Sequence, residues 1–214
     1  MKFLKITFIT LVGALALITS GCSLQAAKKP VATNTSVPVP PFLAQDATSV
    51  QADTASRLAI AKAQAQVWKP DAVLVAYNVK VPTDLTSVET TQTFAFSSPT
   101  DTTDWWTISV DKDGKFVRAL IPQTDYLGQG LQPIDESVWQ KSYIEALQKA
   151  ETSGGAAFHT ANPEAQISLI LEQAAPKNYL WWIVNYQGAT NSLKVRISAR
   201  DGNIYDDFGN PFTK

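Results

Sequence analysis

The strongest chemistry written into this 214-residue chain is a single thiol. Cys22 is the only cysteine, and it closes the run Ile18-Thr19-Ser20-Gly21-Cys22. Lys2 and Lys5 come first, then an uncharged apolar stretch over 6–18, then small residues. That is a charged n-region, an h-region and a cleavage point, the layout of a secretory signal. An uncleaved anchor needs about 20 mostly apolar residues, whereas polarity here begins at Thr19. Plain secretion with an incidental cysteine is the competing reading. His159, the only histidine, cannot assemble a multi-histidine zinc site, and no spare thiol exists to complete one. No G-x-S-x-G elbow offers it a serine, so it is expected in a loop. Asp111-Lys112-Asp113-Gly114 and Asp201-Gly202-Asn203 open like calcium loops but lack the later oxygen ligands and closing Glu. Hairpin turns account for both. Asp101, Asp104, Glu172, Asp206 and Asp207 are available for glycoside hydrolysis, yet nothing singles out a pair. We therefore expect no catalytic residue, no metal set and no cofactor.

The segment ending at Cys22 resembles the lipobox of bacterial lipoproteins, with Thr19 where that pattern most often has Leu. The resemblance implies that the Cys22 thiol takes a diacylglycerol and that the mature chain, acylated further with palmitate-like lipid, begins there. More than one acyl chain suffices for stable attachment where one is marginal. The implied location is extracytoplasmic and membrane-anchored. Since Ser23 follows the cysteine rather than Asp, it would be the outer membrane if the source has two membranes.

Removing a signal at 1–21 takes Lys and Arg from 18 to 16 against 19 Asp and Glu, a formal charge of −3. Basic clusters are absent apart from Lys28-Lys29, which argues against a nucleic-acid partner. The stretch 22–52 is rich in Ala, Thr, Ser and Val, with Pro30, Pro38, Pro40 and Pro41, and shows no apolar periodicity. It reads as a tether, and residues 53–214 are expected to fold without it.

An internal repeat organises those residues. Gly114 and Gly202 of two Asp-Gly turns lie 88 positions apart, while the apolar pair Ile108 and Ile197 lie 89 apart. Burial should govern the alignment, because a one-residue slip moves every strand side chain to the other face. Strand-like runs occupy 73–81, 93–98, 166–173 and 180–186, joined by short turns that favour antiparallel pairing. A helix is expected over 54–68, capped by Asp53, with Leu58, Ala61, Ala65 and Trp68 on one stripe. A second is expected over 137–151, stopped by Gly154-Gly155. The expected class is α+β, a tandem repeat of one helix and a 3–4-stranded antiparallel sheet, with units at 53–127 and 128–214.

In that register Trp106, Ile108 and Val110 match Val195, Ile197 and Ala199 beneath the helices. Trp105, Thr107 and Ser109 match Lys194, Arg196 and Ser198 on the opposite face. Adjacent tryptophans on a strand cannot both point inward, so Trp105 and one of Trp181 and Trp182 belong outside. Trp105, Trp181, Lys194 and Arg196 form the candidate interaction surface, since exposed tryptophans suit protein hot spots or stacking on sugars.

Two stretches carry a family resemblance: Trp106-Thr-Ile-Ser-Val-Asp-Lys-Asp-Gly-Lys-Phe-Val and Lys194-Val-Arg-Ile-Ser-Ala-Arg-Asp-Gly-Asn-Ile-Tyr. Each follows a helix candidate, and the arrangement resembles PepSY-like exported modules and, in tandem, β-lactamase-inhibitor-like architecture. The resemblance implies a non-enzymatic protein- or peptide-binding or peptidase-modulating module outside the cytoplasm. A cell-wall glycan-binding or glycan-hydrolysing lipoprotein is the alternative.

Overall fold

Alternating apolar runs become eight strands, and all eight lie in one sheet. The computed structural model describes residues 38–125, 130–175 and 177–212. Cys22, the signal and most of the tether lie outside them. In chain order the main elements are α1 (Ala47–Trp68), β1 (Val73–Val81), β2 (Thr91–Ser98), β3 (Asp101–Val110) and β4 (Phe116–Pro122). Then follow α2 (Tyr143–Ala150), α3 (Ala156–Ala161), β5 (Gln166–Ala174), β6 (Tyr179–Gln187), β7 (Ser192–Ser198) and β8 (Ile204–Tyr205). The spatial order is β4-β3-β2-β1-β5-β6-β7-β8, antiparallel throughout.

This corrects the expected fold class. A tandem of two separate small sheets is not what forms, because β1 pairs with β5 from Ala76↔Glu172 to Val81↔Ile167 and fuses everything into one eight-stranded sheet. The reason is the apolar content of those two strands. Left as edges, Val-Leu-Val-Ala-Tyr-Asn-Val-Lys-Val and Gln-Ile-Ser-Leu-Ile-Leu-Glu-Gln-Ala would present long unpaired templates. Joined, they are the centre of the sheet. Residues from Pro38 onward accordingly cluster as one compact unit.

The helices cover one face, where the main core gathers Tyr77, Phe94, Trp106, Ile108, Leu169, Trp182, Tyr186 and Ile197 around Leu58, Ala61, Ile144 and Leu147. α1 begins at Ala47, with the Asp46 carboxylate accepting from Ser49 N at 2.8 Å, so the cap is Asp46 rather than Asp53. Asp53 instead enters a network inside the helix–sheet contact. It accepts from Arg57 Nε (3.1 Å) and Gln92 Nε2 (2.9 Å), and Gln92 Oε1 accepts from the buried Tyr77 hydroxyl (2.9 Å). Arg57 also donates to the carbonyls of Thr90 and Val110, both at 3.2 Å. These bonds fix α1 against β1, β2 and β3. Burial, partly offset by Thr54, pushes the Tyr77 hydroxyl well above its usual pKa.

The chain ahead of α1 also packs. Phe42 is fully buried, its N–H donates to the Leu85 carbonyl at 3.0 Å, and its ring lies 6.2 Å from that of Tyr143. Part of the stretch read as tether is therefore core. In the second half, α2 is shorter than expected and begins at a capping box, with Ser142 and Glu145 bonding each other's backbone. Gly154 (φ 117°) turns the chain without ending the helical segment, which resumes as α3. Gly155 tolerates no side chain: an added Cβ would fall 2.3 Å from the Tyr186 hydroxyl oxygen.

Candidate functional site

The two sheet edges are built differently. β8 is two residues long, and the C-terminal chain returns over it, with Phe212 N–H donating to the Ile204 carbonyl and Tyr205 bridging Pro211. β4 has seven residues, and among the described residues no strand pairs with its outer side. Its sequence is Phe-Val-Arg-Ala-Leu-Ile-Pro, with Phe116 40%, Val117 75% and Leu120 53% exposed. Only Arg118 and the terminal Pro122 belong to the residues that commonly blunt an edge.

The hairpin before β4 sets which backbone groups face outward. Gly114 (φ 75°) donates to the Asp111 carbonyl, and Asp111 N–H donates to the Lys115 carbonyl at 2.9 Å. Asp111 Oδ1 accepts from the N–H groups of Asp113 and Lys115. Position 111 is thus hydrogen-bonded to 115, and antiparallel alternation repeats that at 109/117, 107/119 and 105/121. The N–H and C=O groups of Phe116, Arg118 and Leu120 consequently turn away from β3. Their side chains lie on the helix face, opposite Val110, Ile108 and Trp106.

On that face the edge borders a groove of about 440 Å³ lined by Val67, Trp68, Trp106, Arg118, Ala119 and Leu120. Trp68, at the end of α1, stacks on Trp106 with ring centroids 5.5 Å apart, and the Arg118 guanidinium lies 5.4 Å from the Trp106 ring centre. Arg118 and Val67 are exposed. Among the described residues no hydrogen-bond acceptor reaches the buried Trp106 Nε1. A strand edge with free backbone groups beside an apolar groove is the geometry by which extended peptides add to a sheet.

The residues singled out in the sequence sit elsewhere. Trp105 and Trp181 do lie on the outer face, but they are 5% and 0% exposed. Three strands also separate β3 from β6, so the two do not form one patch. Trp105 packs with Val75, Ala76 and Ala95 under Leu131. Leu131 arrives on the connection from β4 to α2, which crosses the sheet end as Gln132 N–H donates to the Gln173 carbonyl (3.0 Å) and Ile134 N–H to the Leu74 carbonyl (2.8 Å). Trp181 is walled by Tyr179 (5.5 Å), Tyr205 (5.1 Å) and the Arg196 guanidinium (5.7 Å). Its Nε1–H donates to the Ala174 carbonyl. The expected exposed tryptophan platform is therefore corrected to two separate buried sites, a small apolar cluster around Trp105 and an aromatic cage around Trp181.

Of the two cations, Lys194 is half exposed and pairs with Asp207 at 3.5 Å. The Arg196 side chain is only 12% exposed, reaching Asp207 (3.4 Å) and the Asp206 carbonyl (3.1 Å). Glu172 sits across from Ala76 on one side and Trp181 on the other. Burial pushes its carboxyl above the usual glutamate value, against the opposing pull of Arg196 and Lys194.

His159 lies half-buried on α3 rather than in a loop, and no cluster of metal-ligating side chains occurs among the described residues. Asp101 and Asp206 serve as turn acceptors, the first for Thr103 N–H and the second for Phe208 and Asn210 N–H. A second cavity of about 370 Å³ is bordered by Gln173, Tyr179, Arg200, Asp201 and Tyr205. Two of its polar groups are engaged with each other, the Tyr205 hydroxyl donating to Asp201 at 3.3 Å. The β4 edge was the feature missed in sequence. Its signal was there: an apolar run directly after a hairpin turn, at the end of a meander.

No helix among the described residues is long and apolar enough to cross a membrane. No protein-family model matches this chain, and no curated protein matches it. Among solved structures it is similar to the crystal structure of a putative lipoprotein from Clostridium difficile 630. The identity is 9%, with 77% of this chain and 95% of that chain covered, at a TM-score of 0.47. At that score the likeness carries no argument about fold or function.

Proposed function

We propose that this chain is a lipid-anchored, non-catalytic module outside the cytoplasm that binds a protein segment as an added strand along β4. The observation that carries the reading is the seven-residue, mostly apolar edge, blunted only by Arg118 and the terminal Pro122, beside the Trp68–Trp106 groove. Such an edge on a monomer is an aggregation hazard unless something uses it. The anchor rests on the signal layout before Cys22. A glycan-directed role loses its main support, since it leaned on exposed tryptophans and both are buried.

The test is photo-crosslinking in intact cells, with a benzophenone amino acid replacing Val117 on the edge or Val88 on the exposed loop between β1 and β2. Both positions are open to solvent, at 75% and 52%. A protein adduct is expected at 117 and not at 88. Leu120→Pro should suppress it, because proline removes an outward N–H while leaving the β3 ladder intact. Equal labelling at both positions, or adducts indifferent to Leu120→Pro, would remove strand addition as the function.

A further inference from the structure

Resting on that strand-addition reading, we infer that the segment taken by β4 is an extended peptide with a carboxylate side chain opposite Arg118 and apolar side chains two residues to either side. Three observations select this chemistry. The first is charge: Arg118 is the only charged side chain on the strand, it is exposed, and among the described residues it engages the Trp106 ring and no carboxylate. Directly opposed residues in an antiparallel pair bring their Cβ atoms to about 5 Å, where opposite charges attract and like charges repel.

The second is register. Because Phe116, Arg118 and Leu120 carry the outward backbone groups and share the helix face, an antiparallel partner must place its residues p+2, p and p−2 against them in that order. Phe116 and Leu120 are 40% and 53% exposed and offer apolar contact at p+2 and p−2. The third is the groove itself, whose Val67, Trp68, Trp106 and Leu120 side chains offer an apolar surface to a residue flanking the carboxylate.

The same arithmetic disfavours a second copy of this chain. The register that uses every outward N–H of Phe116, Arg118 and Leu120, Phe116 against Leu120 and the reverse, puts Arg118 against Arg118, whereas the full seven-residue overlap sets Phe116 against Pro122, which has no N–H to donate. Like charges opposed across a pair are destabilising. A partner with alternating polar residues facing Val117 and Ala119 on the outer side completes the pattern.

The probes are three acetylated, amidated heptapeptides, TLTETLT, TLTQTLT and TLTKTLT, and a TLTETLT analogue N-methylated at alternate positions. They are titrated into the full mature chain while the ¹⁵N amide signals of Phe116, Arg118 and Leu120 are followed. The Glu peptide is expected to bind about fivefold more tightly than the Gln peptide, the Lys peptide weakest, with the difference shrinking in high salt. Arg118→Glu should invert the order without unfolding the protein, since the side chain is exposed. If the Glu and Gln peptides bind alike, or if Arg118→Glu leaves the order unchanged, the carboxylate assignment is overturned while strand addition stands. If no peptide shifts these amides, or the N-methylated analogue shifts them equally, strand addition falls and the inference with it. Self-association of the mature chain that Leu120→Pro abolishes would assign the edge to a second copy and overturn the peptide assignment.

Discussion

Deleting residues 38–50 tests whether the end of the supposed tether belongs to the core. A chain starting at Gln51 keeps most of α1 and loses Phe42, Asp46 and Val50. Phe42 is 0% and Val50 5% exposed, so both side chains leave packed surroundings. Truncating a buried Phe costs about 3–5 kcal/mol. Two hydrogen bonds go as well, Phe42 N–H to the Leu85 carbonyl and Gln148 Nε2 to the Leu43 carbonyl, each worth about 1 kcal/mol. Loss of the Asp46 cap and of the first helical turn adds to this. The total, about 5–7 kcal/mol before the helix end is counted, approaches the whole stability of many domains, about 5–15 kcal/mol. Urea unfolding followed by tryptophan fluorescence, comparing chains that start at Pro38 and Gln51, measures it. The shorter chain should lose most of its cooperative transition, and Phe42→Ala alone should account for about 3–5 kcal/mol of the loss. Coincident midpoints for the two chains would refute the packing argument and restore residues 38–52 as a simple tether.

Trp105→Ala and Trp181→Ala should each destabilise by about 3–5 kcal/mol in the same assay, comparable to Trp106→Ala; a loss under about 1 kcal/mol at either site would mean that tryptophan is not packed as the structure has it. Glu172→Gln should stabilise the protein at neutral pH. Because the folded-state carboxyl is raised by burial, the native state holds its proton more tightly, so stability is greatest below the ordinary glutamate value of about 4.3 and falls as pH rises through the folded value. The advantage of Gln should therefore vanish near pH 4, and thermal melts from pH 4 to 8 check the sign; an advantage that grows on acidification would contradict it. Cys22→Ser should abolish palmitate labelling and release the protein from membranes, whereas retention after alkaline washing would point to an uncleaved apolar anchor.

Much of the local structure was legible in the residues themselves. The strand at 73–81 matches β1, and the inward placement of Trp106, Ile108 and Val110 against the outward placement of Trp105 follows from strict alternation. The Asp-Gly pairs form turns because glycine enters the left-handed region without strain, Gly114 at φ 75° and Gly202 at φ 74°. These are properties of a few neighbouring residues, and a periodic pattern encodes them fully.

Tertiary structure decided the rest. Alternation says which way Trp105 points, not that Leu131 will lie over it, because that contact depends on a connection pinned to Leu74 and Gln173 far away in sequence. The same limit explains the missed start of α1, whose cap at Asp46 is worth forming only because Phe42 finds a pocket beside Leu85 and Tyr143. It explains the sheet too. Two helix-and-meander halves can stand apart or fuse, and the pattern within β1 or β5 is the same in both cases. Fusion is chosen by the backbone groups and apolar surface that two edges bury together, a quantity that exists only once the halves meet. β4 stays open for the complementary reason: among the described residues, nothing in the chain folds back to cover it.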